Sequence, residues 1–496
     1  MAGTFRSPAL LAILSKTFPL ERLYVGRHMS STAAGVFDVL NPATGKLITS
    51  LPEDSQDQVA QKFAQAQAGQ REWKKGPLQE RQEALRTFNK LLLSRTDSLA
   101  ATLTSEMGKP LSQARNEIRA TPLRIQYLID NAPQVLERQD VFGSAGAKVR
   151  ECLTYEPLGV VANISAWNYP YFTSANVFAA ALVTGNSVLY KPSEHTTLTG
   201  LAIGELLHEA GVPEDAFVTV TGRGSTGAAV ASLPGLGGVF FTGSNPTGAK
   251  IAAAAAPNMV KVQLELGGKD PVYVRPDVDV RKAAEAIADG AFYNNGQSCC
   301  SVERIYVHAS IHDEFVDAFA ATVEAFKMDD PTADGTYLGP VTRQPHVAFL
   351  KAQVEDALTK GATPVVLGSH TDFTSRRGYF FPPVVLKNVD HTMSLMREET
   401  FGPVIGIQSV SGDDEAVSLM NDTKYGLTAG VYTKDGDAAE RILAELNVGS
   451  GYWNCCDRVS PRLPWSGRKS SGVGSTLGLD GLRSFVRPKA LHLQAA

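Results

Sequence analysis

Short apolar runs alternate with helix-length segments through the middle of the chain, from about residue 158 onward. The first series of runs, bounded by Gly and Pro, reads LGVVANIS, SVLYKP, AFVTVT, GVFFTGS and KVQLELGG. Runs of this length, separated by helical segments, indicate a buried parallel sheet built from βαβ units. Such sheets bind ligands at the carboxyl ends of their strands, so we expect functional side chains just after each run.

A second series of similar size follows residue 267. It joins helical segments at 279–296, 311–327 and DAAERILAEL to the runs PVYV, ERIYVH, TPVVLG, FFPPVVL, PVIGIQSV and AGVYT. The fold class that we predict is therefore α/β, with two Rossmann-like parallel-sheet domains.

The N-terminal third has the periodicity of helices instead. Ser55 and Gln58 have the spacing of a capping box at a helix start, and Pro122 and Pro133 are expected to interrupt a later helix. Outside these helices, GAKVRECLTYEP and SFVRPKALHL suggest a small β element used for self-association, as a homodimer or homotetramer.

The composition limits the classes of binding partner that we expect for this chain. The chain has 496 residues, 43% of them hydrophobic, and a formal net charge of -4, which gives no attraction to nucleic acid or to anionic membranes. No run reaches the ~20 apolar residues needed to span a bilayer. The five cysteines form neither a disulfide framework nor a zinc pattern, so we expect a reducing compartment and no metal. A small-molecule partner is the remaining expectation.

The first 36 residues are basic and rich in Ser and Thr. They carry Arg6, Lys16, Arg22 and Arg27 against the single acid Glu21. This composition is typical of a transit peptide, so we expect a mitochondrial location, with a plastid or cytoplasmic one as the alternative. A secretory signal around PALLAIL fits poorly with unpaired thiols.

Two Gly-rich turns are candidates for nucleotide binding. The first, TGRGSTG, contains Gly224, but the acid expected about 20 residues after a dinucleotide fingerprint is missing. Lys191 and Glu194, in KPSEH at a neighbouring strand end, can hold the adenosine ribose instead. An acid at that place repels a 2'-phosphate and favours NAD over NADP.

The second turn, FTGSNPTG, is the better phosphate cradle. Gly243 ends the predicted strand, and Ser244 can cap the next helix, so that helix N-terminal amides face an anion. Taken alone, such a turn is more often only a turn. Together with Lys191 and Glu194 it favours a nucleotide.

Reactive side chains follow other runs. Cys299 comes after the polar approach NNGQS, which would end a helix and leave its thiol accessible, whereas Cys300 is expected to pack. Asn168 in AWNYP offers a neutral amide donor for an oxyanion. Glu265, between two leucines in LELGG, can have a raised pKa and act as a general base. A capping Asn and a salt-bridged Glu are the plainer interpretations.

These motifs together resemble the aldehyde dehydrogenase superfamily. The resemblance extends from about Val36 to the C-terminus and rests on LELGGK and FYNNGQSC, with AWNYP, KPSE, FTGSNPTG, EETFGPV and PWSGRKSSG in the family's order. It implies that Cys299 is the catalytic cysteine, Glu265 the base of deacylation and Asn168 the oxyanion donor.

The resemblance also implies a set of NAD contacts. These are Trp167, Lys191, Glu194, Gly224, Gly243, Ser244, Glu399 and Phe401. Gly268 matches a family glycine needed for close backbone approach. One departure is visible, because after SSGVG the family commonly has Arg-Glu, whereas this chain has Ser475 and Thr476.

The domain boundaries that follow assign one sheet to the cofactor and one to catalysis. We predict a transit or disordered segment at 1–35, an NAD-binding domain at 36–136 and 158–266, a catalytic domain at 267–466, and an oligomerisation element with the C-terminal tail at 137–157 and 467–496.

The expected reaction is oxidation of an aldehyde to the carboxylic acid with NAD, through a thiohemiacetal and a thioester. The aromatic residues Tyr169, Tyr171, Trp453 and Trp465 favour a medium or long-chain apolar aldehyde, or betaine aldehyde by cation–π contact. Arg458 and Arg462 favour an acidic semialdehyde instead. A CoA-acylating relative, a nucleotide-free cysteine hydrolase or acyltransferase and a catalytically silent protein are the rival functions.

Overall fold

The computed structural model describes residues 35–143, 146–368 and 377–495. The predicted transit segment lies outside these ranges except for its last residue, so its role and the cellular location stay predictions. Within the described ranges no helix is long and apolar enough to cross a lipid bilayer.

The first α/β layer is built on a six-stranded sheet among the described residues. Its strands in spatial order are Gly472–Val473, Lys261–Glu265, Gly238–Thr242, Val160–Ile164, Ser187–Lys191 and Phe217–Thr219. Its neighbouring helices are Pro170–Val183, Thr197–Glu209, Gly224–Ala231 and Asn245–Ala255. All strand pairs are parallel except the one made by Gly472–Val473.

The second layer is a seven-stranded sheet, again counted over the described ranges. Its strands in order are Thr363–Leu367, Val384–Lys387, Val404–Val410, Val302–His308, Asp270–Val274, Thr428–Tyr432 and Ser450–Trp453. Its helices are Val280–Phe292, His312–Glu324, Gln344–Thr359, Ser394–Arg397, Asp413–Asn421 and Gly436–Glu445. The predicted α/β fold class is confirmed, but the sheets are mixed rather than purely parallel. The edge strand Thr363–Leu367 runs antiparallel to its neighbour, as edge strands of large α/β sheets often do.

Four helices cover the N-terminal third: Gln56–Trp73, Leu78–Ser94, Thr96–Met107 and Leu111–Leu136. The capping box is confirmed, because Ser55 Oγ accepts from Gln58 N at 3.2 Å and Gln58 Oε1 accepts from Ser55 N at 2.8 Å.

The expectation that prolines interrupt the fourth helix was wrong. Pro122 and Pro133 both lie inside Leu111–Leu136. Pro133 lacks the N–H that would bond the carbonyl of Ile129, and Gln82 Nε2 donates to that carbonyl instead at 2.8 Å. A side chain from another helix therefore replaces the lost bond.

Smaller elements complete the fold. Antiparallel pairs join Val36–Asn41 with Lys46–Pro52 and Tyr425–Gly426 with Arg468–Lys469; short helices lie at Ala256–Asn258, Tyr293–Gly296, Ala309–Ile311 and Gly478–Arg483.

The segment Val149–Pro157 pairs antiparallel on one side with Val486–Gln494 and on the other with Gln139–Phe142. Val141 and Phe142 are 63% and 61% exposed on that edge strand. A role of this sheet in oligomerisation stays a prediction, as do the domain boundaries.

Glu53 supplies an acid to the TGRGSTG turn from a distant part of the chain. Its carboxylate accepts from Arg223 N (2.9 Å), Ser225 Oγ (2.9 Å) and Thr226 Oγ1 (3.0 Å), at the start of helix Gly224–Ala231. The Arg223 guanidinium also donates to Glu53 Oε2, from Nε at 3.1 Å and from Nη2 at 2.9 Å. Partial burial raises the Glu53 pKa, but all these hydrogen bonds outweigh it and lower the pKa to about 2. The carboxylate therefore stabilises the N-terminus of that helix.

We expect Glu53→Gln to lower the free energy of unfolding by about 1–3 kcal/mol at neutral pH, because a charge-assisted acceptor is lost at a helix N-terminus. The folded-state pKa lies below the unfolded value, so the difference should be complete above the ordinary glutamate pKa and shrink as pH falls towards about 2. Urea unfolding at neutral and acidic pH measures it.

The matched control is Glu83→Gln, which removes an acid that pairs with Arg86 on an exposed helix face. This change should cost less than about 1 kcal/mol. Equal losses in the two variants would contradict the capping role of Glu53.

Candidate active site

Cys299 follows a turn in which three consecutive residues have left-handed backbone angles. The φ values of Asn294, Asn295 and Gly296 are 55°, 59° and 67°. Asn adopts this region more readily than other side-chain-bearing residues, and Gly adopts it freely. The turn ends the helix Val280–Phe292 and leaves the Cys299 thiol partly exposed.

Close contacts hold this turn in place. Asn295 Oδ1 accepts from Gly339 N at 3.0 Å, and Asn295 Nδ2 donates to Gly339 O at 2.5 Å. A Cβ on Gly296 would lie 2.5 Å from the carbonyl oxygen of Gly402. The turn is thus fixed on two sides, and the position of Cys299 is fixed with it.

Cys299, Glu265 and Asn168 all line one cavity of about 460 Å³. Gly268 links two of them, because a Cβ at this glycine would approach the Cys299 carbonyl oxygen to 2.8 Å. The loop after the Glu265 strand therefore packs directly against the turn that carries the thiol.

Asn168 is 5% exposed, and its amide points towards the cysteine turn. The side-chain Nδ2 of Asn168 donates to Gln297 O at 3.1 Å, while the backbone carbonyl of Asn168 accepts from Lys109 Nζ at 2.7 Å. Lys109 also forms a fully buried ion pair with Glu117. Glu117 in turn accepts from Tyr171 N at 2.9 Å, so this pair fixes the loop that presents Asn168.

Glu265 ends a strand and is 6% exposed. Its carboxylate accepts hydrogen bonds from Thr476 Oγ1, from Gln263 Nε2 at 3.3 Å and from Thr242 Oγ1 at 3.5 Å. Burial raises the pKa of Glu265, and the Thr476 hydroxyl opposes that rise. The result is a carboxylate suited to accept a proton.

Other thiols line the same cavity: Cys300, Cys455 and Cys456. The Cys300 thiol donates to Asp457 Oδ1 at 2.9 Å, and its hydrogen bond with Cys299 together with burial raises its pKa. Burial also raises the pKa of Cys455, and that of Cys456 to about 12. These shifts disfavour the thiolate form of all three.

The predicted cofactor contacts lie at the carboxyl edge of the first sheet. Lys191 ends a central strand, and its Nζ lies 3.6 Å from Glu194 Oε2. Burial raises the Glu194 pKa, but the neighbouring Lys191 charge helps to outweigh it and the pKa is lowered. An ionised carboxylate and the Lys191 amine thus lie together at the position predicted to contact the adenosine ribose.

The phosphate cradle differs in one detail from the expectation. Ser244 is the N-cap residue of helix Asn245–Ala255, but its side chain does not cap the helix. Its Oγ hydrogen-bonds to Thr247 Oγ1 at 2.9 Å. Thr247 N and Gly248 N donate to Ser244 O at 3.1 and 2.9 Å, and Pro246 has no N–H, so within this first turn the Asn245 N–H is left to face an anion such as a pyrophosphate. Gly243 lies directly before it, and Gly224 starts the helix after the neighbouring Gly-rich turn.

Glu399 and Phe401 reach this region from the second layer. Glu399 Oε1 accepts from Gly268 N at 3.1 Å, and burial raises the Glu399 pKa to about 8. The Phe401 ring meets the Trp167 ring edge-on at 5.5 Å. The backbone of Phe401 is anchored by Glu303 Oε1 at 2.9 Å. These contacts close the gap between the two sheets.

The predicted substrate aromatics separate into two groups. Tyr169 and Trp465 line the cavity. Tyr171 is 1% exposed in the core, and Trp453 is 48% exposed with its Nε1 bonded to Thr433 O; neither lines the cavity. Two of the four predicted substrate aromatics therefore line the cavity, and Phe172, Tyr293 and Tyr432 add aromatic rings that were not predicted.

Sequence reasoning missed several cavity residues. Arg124 comes from the helix Leu111–Leu136 and Asp457 from a loop, and both line the cavity. Thr476 was singled out as a departure, but its contact with Glu265 was not foreseen. Only the deviation from the family pattern gave a signal for Thr476, and Arg124 gave none.

The sequence is similar to those of known aldehyde dehydrogenases. The model of the aldehyde dehydrogenase family matches residues 28–491. A succinate-semialdehyde dehydrogenase [NADP(+)] of Deinococcus radiodurans is 35% identical over 456 residues, which cover 92% of this chain and 94% of that protein.

Solved structures agree. Lactaldehyde dehydrogenase from Escherichia coli has a TM-score of 0.89 and 32% identity, covering 94% of this chain and 97% of that one. Betaine aldehyde dehydrogenase from Staphylococcus aureus, in complex with NAD+, has a TM-score of 0.89 and 29% identity, covering 93% and 92%.

In the described part of the chain, no group of three or more His, Cys, Asp or Glu side chains is arranged to hold a metal ion.

The resemblance noted from the motifs is confirmed by the family match over nearly the whole sequence. The chain belongs to the aldehyde dehydrogenase family.

Proposed function

We propose that this protein oxidises an aldehyde to the carboxylic acid with NAD, through covalent intermediates on Cys299 that water resolves. The observation that carries the proposal is the convergence of Cys299, Asn168 and Glu265 on one cavity, beside the carboxyl edge of a Rossmann-like sheet. Each role below is assigned on the basis of that arrangement.

The Cys299 thiolate adds to the aldehyde carbon and forms a C–S bond, and the carbonyl oxygen becomes an oxyanion. Asn168 Nδ2 and the backbone N–H of Cys299 donate to that oxyanion; one such donor typically contributes ~3–4 kcal/mol to the transition state. Bound NAD would supply the acceptor for the hydride of that carbon. The product left on Cys299 is a thioester.

Glu265 completes the reaction. Its carboxylate takes a proton from water, the hydroxide adds to the thioester carbon, and the C–S bond breaks to release the acid and the Cys299 thiolate. Burial, which raises the Glu265 pKa, favours this proton transfer. A CoA-acylating enzyme needs no such base, so the placement of Glu265 supports hydrolysis.

A nucleotide-free cysteine hydrolase is disfavoured by the same cavity. Such an enzyme needs a histidine base beside the thiol, and among the described residues no histidine lines the cavity. His308, the nearest in sequence, bonds Ser310 Oγ at 2.8 Å instead.

The residues present fit NAD. Lys191 and Glu194 would hold the adenosine ribose, Ser244 and its helix the pyrophosphate, and Glu399 with Phe401 the nicotinamide side. The ionised Glu194 favours NAD, since it would repel the 2'-phosphate of NADP. The Deinococcus relative is named as an NADP enzyme, so this preference is the finer part of the proposal.

For the substrate, we propose a short aldehyde with an acidic group in preference to a long apolar one. The name of the succinate-semialdehyde relative supports this choice. Two arginines in the cavity wall, Arg124 and Arg458, can pair with such a group and support it as well. Apolar aldehydes and betaine aldehyde are the alternatives.

Replacing the base should trap the covalent intermediate. We expect Glu265→Gln to lower steady-state turnover by about 100- to 10,000-fold, because proton transfer from water is lost, while one equivalent of NADH still forms per active site. Mass spectrometry of the quenched enzyme should find an acyl group on the Cys299 peptide.

The control is the same trap in variants of the two adjacent cysteines. Glu265→Gln with Cys300→Ala should retain the adduct, whereas Glu265→Gln with Cys299→Ala should lose it. An acyl adduct on Cys300, or the absence of an acyl adduct in both double variants, would contradict the proposed function.

The hydroxyl of Thr476 should set the pH at which the base works. Because its hydrogen bond lowers the raised Glu265 pKa, Thr476→Val should raise that pKa further. Turnover that depends on the ionised base should then begin at higher pH, and the acidic limb of the kcat profile should move upward in pH.

Thr476→Ser retains the hydroxyl and should leave the limb in place. A uniform loss of kcat at every pH in Thr476→Val, without a moved limb, would show that Thr476 contributes only to packing.

The cofactor preference should depend on one carboxylate. We expect Glu194→Gln to raise the ratio of kcat/KM for NADP over NAD by about tenfold or more, because like-charge repulsion of the 2'-phosphate is removed. Glu205→Gln, at an exposed position of the helix Thr197–Glu209, is the control that should not change the ratio. An unchanged ratio in Glu194→Gln would contradict the assigned contact.

A further inference from the structure

One arginine in the cavity wall has no acidic partner. Arg124 is 9% exposed and lies on the helix Leu111–Leu136, far along the chain from the motifs that carry the chemistry. Within the described residues, it has no carboxylate within ion-pair distance and donates one side-chain hydrogen bond, from Nη1 to Asn176 Oδ1 at 3.2 Å. A guanidinium has five N–H donors, so most of the Arg124 donors have no side-chain acceptor. Arg124 and Cys299 line the same cavity.

The guanidinium is held in one orientation by a stack of side chains. Arg124 Cζ lies 3.9 Å from the centre of the Phe172 ring, and Phe172 stacks on Tyr169 at 5.7 Å with planes 7° apart. Lys109 Nζ lies over the other end, 3.7 Å from the Tyr169 ring. We call these four residues the cation–aromatic stack.

The two cations at the ends of this stack differ in their surroundings. Lys109 is neutralised by Glu117, whereas Arg124 has the neutral amide of Asn176 as its side-chain partner. A buried charge without a counter-ion is costly unless an anion binds to it. A planar guanidinium fits a carboxylate through two parallel hydrogen bonds.

We propose that Arg124 binds the distal carboxylate of an acidic semialdehyde and thereby sets the substrate preference of the enzyme. The inference rests on the proposed function, because the aldehyde carbon must reach Cys299 in the same cavity. Arg458 also lines this cavity, but it is exposed, so its charge is screened by water. Arg462, also considered from the sequence, does not line it.

Other charged or titratable groups face Arg124 and must be separated from this role. Cys300, Glu265, Glu117 and Cys299 are its nearest electrostatic neighbours. Glu117 is paired with Lys109, and Glu265 accepts from three side chains of its own. A role of Arg124 in stabilising the Cys299 thiolate would affect every aldehyde equally, so a comparison of substrates distinguishes the two.

The test compares matched aldehydes with and without a carboxylate. The semialdehydes of succinate, glutarate and adipate are paired with butanal, pentanal and hexanal, and kcat/KM is measured for each. The wild type should prefer at least one semialdehyde over its partner. Arg124→Met should lower that preference by roughly 100-fold, as expected when one partner of a buried charge pair is removed.

Two further variants support the comparison. Arg124→Lys retains the charge but not the planar fork, and its preference should fall between those of the wild type and Arg124→Met. Arg458→Met removes an equal charge from an exposed place on the wall and should change the preference by no more than about fivefold. A larger effect in Arg458→Met than in Arg124→Met would overturn the assignment.

Alkylation of Cys299 by iodoacetamide, followed across pH by peptide mass spectrometry, provides the independent readout. It should be the same in Arg124→Met and wild type. An equal loss of kcat/KM for both aldehyde series would overturn the inference. If the pH dependence of Cys299 alkylation also shifts in Arg124→Met, Arg124 acts by stabilising the thiolate. If that pH dependence is unchanged, Arg124 contributes only to packing. If the wild type oxidises alkanals but prefers no semialdehyde, the inference fails and the proposed function stands; if it oxidises no aldehyde, the proposed function itself fails.

Discussion

The active site depends on the left-handed turn at Asn294, Asn295 and Gly296. Gly296 adopts this region freely, but Asn294 and Asn295 each carry a conformational cost there unless the surrounding structure holds them in place. Here the cost is met by the paired bonds between Asn295 and Gly339 and by the tight contact between Gly296 and Gly402. The turn stops a helix abruptly and directs the next residues into a cavity, so a reactive thiol and its packed neighbour can differ in environment although they are adjacent in sequence.

A second constraint is the buried ion pair of Lys109 and Glu117. Such a pair is weak evidence for stability, because desolvation offsets most of its attraction. Its value here is positional: one partner donates to the Asn168 carbonyl and the other accepts from the Tyr171 amide. The pair therefore ties the N-terminal helices to the loop that carries Asn168, and removing either partner would leave the other charge buried without a counter-ion.

Much of the fold and part of the site could be predicted from local sequence. Runs such as 160–164 and 187–191 are apolar throughout because both faces of their strands are buried, and that pattern needs no tertiary information. Three features could not be predicted in this way: the direction of the strand Thr363–Leu367, the uninterrupted helix around Pro133 and the position of Trp453 away from the cavity. Each depends on a partner far along the chain, such as Gln82 for the Ile129 carbonyl or Thr433 for the Trp453 indole.

The same limit explains Thr476. From sequence it was only a departure from the Arg-Glu that the family commonly has, and its consequence for the chemistry was invisible. In the fold its hydroxyl donates to Glu265. A carboxylate at this place would add a like charge and push the raised pKa of the base higher still, whereas a hydroxyl stabilises the ionised form without charge. In this chain a neutral donor therefore moderates the effect of burial on the Glu265 pKa.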